Sequence, residues 1–170
     1  MNPTLRVNKN VYSSITILFM KLKTLLTLLA LFAFNGMMAQ TTVPPVISSD
    51  QIWNFAGSPY KIDKNTIIDT GVSVKVLPGT VIIGAGDLTT LAISGEFQIL
   101  GNSDSLVKIS GLIMNYKENS VDYDPTTGKG AYVRFAEIEG NGTGKRVFDL
   151  HNTHFNIEDS RIYAGYYAIN

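Results

Sequence analysis

The chain has 170 residues, 45% of them hydrophobic, with fourteen basic and fourteen acidic side chains and no cysteine. That length and apolar content suffice for one core and argue against disorder, while a formal charge of zero with no basic patch argues against a nucleic-acid partner. The lack of cysteine excludes disulfides, a thiolate metal site, a cysteine nucleophile and a lipidated N-terminal cysteine.

The first element with a recognisable pattern is "MKLKTLLTLLALFAFNGMMAQ", beginning at Met20. Lys21 and Lys23 form a basic start, Leu25 to Phe34 an apolar run, and small or flexible residues lead up to Ala39, which together read as a secretory signal peptide over residues 20–39. The apolar run is about half the roughly 20 residues of a membrane span, and Asn35-Gly36 breaks it. Residues 1–19 fall outside this pattern because Arg6 and Lys9 lie too far ahead of the apolar run, so translation is expected to start at Met20. The mature protein would begin at Gln40, be secreted or held at the cell surface, and carry no membrane span.

Residues 40–46, with "TTVPPV", read as an extended linker. Residues 47–65 read as an N-terminal cap in which Ile47, Ile52, Trp53, Phe55 and Tyr60 gather as a plug over the first regular coil; a Trp53 that stacks on sugar is the alternative. From residue 66 onward no long window keeps an apolar 3.6 period, and the apolar residues alternate in short runs bounded by Gly, Asn, Asp and Pro. Val72, Val74 and Val76 share one face; "TVII" follows the Pro78-Gly79 turn; Leu91 with Ile93, Phe97 with Ile99, and Val107 with Ile109 continue the series. Such runs are shorter than the strands of an ordinary antiparallel sandwich.

A repeat accounts for the brevity. Placing Val133 over Ile157 brings Ala136 onto Ser160, Ile138 onto Ile162 and Gly140 onto Ala164, and a similar step carries Val74 and Val76 onto Phe97 and Ile99. Steps of this size, holding two or three short strands each, predict an all-β parallel β-helix over residues 66–170, whose coils stack about 4.8 Å apart around a continuous core.

The order of these stretches resembles the N-terminal part of secreted bacterial right-handed parallel β-helix proteins of the pectin-lyase-like class. Gly71, Val74, Val76, Pro78, Gly79 and Ile82 match their first motif, and Leu91, Ile93, Gly95, Phe97 and Gly101 the second. The resemblance implies the fold and, because its motifs are structural, no activity. Members of the class usually run longer and close the core with a cap, so a chain ending in mid-coil at Asn170 is expected to be a fragment or a truncated reading frame.

Candidates for chemistry are few. Asp122, Asp124 and Thr126 precede Gly128 at alternate positions and loosely echo a calcium loop, although Pro125 intrudes and no closing glutamate follows; a solvated, protruding loop is the other reading. Calcium is the single cofactor in question. Asp149, His151 and His154 have a spacing that could serve one metal, but a turn with solvated histidines is preferred. Glu137, Glu139, Glu158, Asp159 and Arg161 are the material available for polysaccharide cleavage. With Val133 over Ile157, Glu137 lies beneath Arg161 and both point outward, as in a solvated ladder of opposite charges. Tyr163, Tyr166 and Tyr167 could form a flat platform against sugar rings, or pack on one another.

The reading that ranks first is a secreted or surface solenoid acting as a scaffold, an adhesin or a carbohydrate-binding element, with polysaccharide or cell-surface glycan as partner and no catalysis by this chain. The alternative is the N-terminal fragment of a polysaccharide lyase or glycoside hydrolase, which fold analogy alone supports. A tail-spike role would need trimer-forming segments that the sequence does not show.

Overall fold

The computed structural model describes residues 20–23, 40–86, 89–140 and 146–164. The chain divides into two compact units, Met1–Met37 and Met38–Asn170. In the first, residues 20–23 are helical; the rest of the expected signal segment and residues 1–19 lie outside the described residues. No helix among the described residues is long and apolar enough to cross a membrane.

The second unit is built of strands two to five residues long that form three parallel sheets. The first sheet stacks β1 (Thr41–Thr42), β4 (Tyr60–Ile62), β7 (Val81–Gly84), β10 (Val107–Ser110), β13 (Ala136–Glu139) and β16 (Arg161–Tyr163). The second stacks β2 (Val46–Ile47), β5 (Thr66–Ile68), β8 (Thr90–Ile93), β11 (Ile113–Tyr116) and β14 (Phe148–Leu150). The third stacks β3 (Gln51–Trp53), β6 (Ser73–Val76), β9 (Glu96–Leu100), β12 (Tyr132–Arg134) and β15 (Asn156–Glu158). Every third strand pairs, so each coil contributes one strand to each sheet and the whole is a parallel β-helix of about five turns.

Alternation explains the core. Tyr60, Ile82, Ile109, Ile138 and Ile162 stand in register and point inward, as do Ile47, Ile68, Ile93 and Tyr116, and Trp53, Val76, Ile99 and Val133. Most of these are fully buried, while Ile157 and Ile162 in the last coil are half-buried. Tyr116 lies wholly inside and donates its hydroxyl to the Phe97 carbonyl at 3.2 Å, which satisfies the one polar atom it brings.

The repeat read from the sequence is the repeat of the structure. Val133 pairs with Ile157, Ile138 with Ile162, Val74 with Phe97 and Val76 with Ile99. "VKVLPGTVII" is β6 and β7 joined by a corner at Pro78-Gly79, where Gly79 takes φ +76° and the Thr80 hydroxyl donates to the Leu77 carbonyl at 2.7 Å.

The parallel pairing starts earlier than residue 66. Thr41 pairs with Tyr60 and Ile47 with Ile68, so residues expected as linker and cap already form the first coil. Their strands are too short, and too broken by Pro44-Pro45, to show an alternation by themselves. The five plug residues do not cluster: Ile47, Trp53 and Tyr60 face the core, and Ile52 and Phe55 are exposed. Trp53 stacks on Tyr60 at 4.9 Å and meets the edge of Phe97 at 6.0 Å; at 2% exposure it has no face for a sugar.

Candidate functional site

The outward parity of the first sheet makes the candidate site. Because β7, β10, β13 and β16 alternate in and out, two outward rows run up the solenoid. One holds Val81, Lys108, Glu137 and Arg161; the other holds Lys61, Ile83, Ser110, Glu139 and Tyr163. Between them lies a concavity of about 550 Å³ lined by Val81, Ile83, Lys108, Ser110, Glu137, Glu139 and Tyr163, with the backbone of Ile109 beneath. Its floor is apolar at Val81 and Ile83, the latter 37% exposed, and its far end is the ring of Tyr163, 52% exposed.

The charges around this groove are unevenly matched. Lys108 Nζ lies 4.0 Å from the Glu137 carboxylate, a loose surface pair of small energetic weight. Arg161 stands in register with Glu137 on the other side, as the repeat requires, but the ion pair is made by Lys108. Lys61 is held by Asp63 at 3.0 Å. The Glu139 side chain, between Ser110 and Tyr163, has no hydrogen-bond or ion-pair partner among the described residues, although its backbone carbonyl accepts from Gly111 N–H at 3.1 Å.

Tyr163 is thus the one tyrosine of the expected platform that the structure places at this groove; Tyr166 and Tyr167 lie outside the described residues. Val81, Ile83, Lys108 and Ser110 went unnoticed in the sequence. A signal was present: two consecutive isoleucines, Ile82 and Ile83, in a strand of period two must put one of them on the outer face.

The segment after β11 is tied to the outer face of the third sheet rather than protruding freely. Gly130 N–H donates to Glu96 Oε1 at 2.8 Å, Gln98 Nε2 donates to the Gly128 carbonyl at 2.7 Å, and Tyr123 stacks on Tyr132 at 5.0 Å. Its tip is a small hairpin closed by Asp124 and Lys129. There the Asp124 carboxylate accepts from the Thr127 hydroxyl at 2.7 Å and the Thr126 N–H at 2.8 Å, which hold it below the usual carboxylate range. Asp122 turns the other way and accepts from the His154 N–H at 2.8 Å. The oxygens of Asp122 and Asp124 are therefore spent on different partners.

His151 and His154 both lie in the exposed turn between β14 and β15. His151 Nε2 stands 3.7 Å from Asp149, and His154 Nδ1 stands 4.0 Å from Asp122, so the two rings serve different carboxylates. Among the described residues no three His, Asp or Glu side chains converge as metal ligands.

Other concavities have a different character. One is lined by Ser94, Lys117, Glu118, Asn119 and His151, and one on the third sheet by Asp50, Gln51, Ile52, Ser73, Lys75, Glu96 and Lys129; neither is lined by Phe, Tyr or Trp. No family, no curated protein and no solved structure matches the chain.

Proposed function

We propose that this chain is an exported β-solenoid that serves as a scaffold and binds a glycan along the outer face of its first sheet. The observation that carries the reading is the groove between the two outward rows: an apolar floor at Val81 and Ile83, an exposed ring at Tyr163, and hydrogen-bonding side chains at Lys108, Ser110, Glu137 and Glu139. An apolar face beside convergent polar groups is what a pyranose ring, with its C–H faces and hydroxyl rim, requires. Four stacked strands span about 14 Å, enough for a short oligosaccharide. The basic and apolar pattern from Met20 to Ala39 supports delivery of this surface to the outside of the cell.

Catalysis is the second reading, and Glu137 with Glu139 is the observation that favours it. The two project from one strand to one face about 7 Å apart along the backbone, near the separation of an inverting carboxylate pair. Both are open to water, however, whereas an acid catalyst needs a desolvated carboxyl. A glycan array followed by titration of the hits tests the proposal. The chain should retain a subset of glycans, and Tyr163→Ala should weaken them about three- to tenfold. Retention of no glycan, or a Tyr163→Ala protein that binds as tightly as the parent, would remove the reading. New reducing ends that vanish in Glu137→Ala would favour the enzyme.

A further inference from the structure

We propose that the groove selects an amine-bearing glycan, the ammonium group being received between the carboxylate of Glu139 and the ring of Tyr163. This rests on the glycan reading above and adds the chemical class of the ligand.

The charges on the two outward rows are unevenly matched. Both cations of the first outward row, Lys108 and Arg161, stand on either side of Glu137, and Lys108 is the one within ion-pair distance of it. In the second row the neighbours of Glu139 are neutral, Ser110 on one side and Tyr163 on the other. Lys61, the cation of that row, is three strands away and already paired with Asp63. Three strand spacings are about 14 Å, beyond the screening length at physiological salt. Among the described residues, Glu139 is therefore a carboxylate within ion-pair distance of no cation, at the wall of an apolar-floored groove.

Its neighbour adds a second attraction. Side chains in register on adjacent parallel strands lie about 4.8 Å apart, so a cation hydrogen-bonded to Glu139 comes within reach of the Tyr163 ring, whose face attracts it. A carboxylate beside an aromatic ring is half of the enclosure that binds alkylammonium groups, through a charge-assisted hydrogen bond and a cation–π contact. Ser110, on the other side of Glu139, offers a hydroxyl to a neighbouring sugar hydroxyl. A uronate-rich chain would instead bring its own carboxylates against Glu139. The groove thus discriminates by charge sign.

Calorimetric titration of the 170-residue chain with three probes decides the matter, at mildly acidic pH where a sugar amine is protonated. The probes are a glucosamine oligomer, its fully N-acetylated counterpart and an oligogalacturonate. The glucosamine oligomer should bind at least about tenfold tighter than the acetylated one, and the galacturonate weakest. Glu139→Gln should reduce that preference to about twofold or less. Glu137→Gln, whose carboxylate already faces Lys108, should keep it. Equal affinity for the amine and acetyl forms, a preference for galacturonate, or a preference that follows Glu137 rather than Glu139 would overturn the inference and leave glycan binding standing. Binding of none of the three, with a lysine oligopeptide bound instead, would overturn both.

Discussion

Tyr132 and Glu158 show how a single contact between coils sets the behaviour of two ionisable groups. The Tyr132 hydroxyl donates to Glu158 Oε2 at 2.6 Å, and Asn156 Nδ2 donates to the other oxygen at 2.8 Å. The Tyr132 hydrogen bond, with that of Asn156 behind it, holds the Glu158 carboxyl below the usual range. Burial, helped by Glu158, pushes Tyr132 up to about 12. The signs differ accordingly. The stability that Glu158 lends is complete above the ordinary carboxylate range and is lost as pH falls through its depressed value. That of Tyr132 is complete below about pH 10 and is lost as pH rises toward about 12. In Tyr132→Phe the Glu158 titration, followed by carboxyl NMR, should move up toward the ordinary carboxylate range; an unmoved titration would mean that Tyr132 is not its chief partner. Nothing in the sequence marks these two as partners, since 26 residues separate them and only the coil register brings them together.

Corners decide how the strands become coils. Gly95, in the corner between β8 and β9, packs so closely that a Cβ there would run into the carbonyl oxygens of Val72 and Asp69. Gly95→Ala should therefore destabilise at or above the top of the roughly 1–3 kcal/mol range for overpacking, because the obstacle is backbone and cannot rotate away. Urea unfolding measures this, and an unchanged midpoint would show that the corner has room. Between the third sheet and the first, the corners take another form. Phe135 and Asp159 both adopt left-handed backbone, φ 48° and 47°, at equivalent places in successive coils. Phe135 donates its N–H to the Glu158 carbonyl at 3.2 Å. A bulky residue in this conformation carries strain that its neighbours must offset. Residue preference would not mark Phe135 as a corner; the 24-residue match to the Asp159 segment does.

The second unit is a stack in which the strands of each coil pair only with those of the neighbouring coils. Stability in such a solenoid is close to a sum of coil and interface contributions, so one inward row can be used as a gauge. Ile82, Ile109 and Ile138 are buried between coils, whereas Ile162 is half-buried. Replacing each by Ala should cost about 2–5 kcal/mol at the three interior positions and visibly less at Ile162. Chemical denaturation of the four variants gives the comparison. Equal losses at all four positions would contradict nearest-neighbour stacking. The groove proposed for glycan has the same origin, because its two outer rows are the solvent-facing counterparts of this inward row.

Alternation, corner residues and a 24-residue self-match were enough to determine an all-β solenoid and the register of β6 on β9, β12 on β15 and β13 on β16 from sequence, because stacking repeats a local pattern from coil to coil; the register between Gly111 and Gly130 was not legible there. Parity alone assigned Ile93, Ile109, Val133 and Ile138 to the core and Glu137 to the outer face. Other features needed the tertiary structure. The first coil at Thr41 is too short and too interrupted by proline to reveal itself without its partner strands. The hold of Glu96 and Gln98 on the segment after β11 joins residues 34 and 30 apart. The groove draws on four strands, β7, β10, β13 and β16, from four successive coils, with unequal loops between them. A repeat fixes which residues face outward. The 24-residue match already sets Glu137 beside Arg161; where coils differ in length, only the folded stack decides which outward residues become neighbours, because loop lengths set the offset from coil to coil.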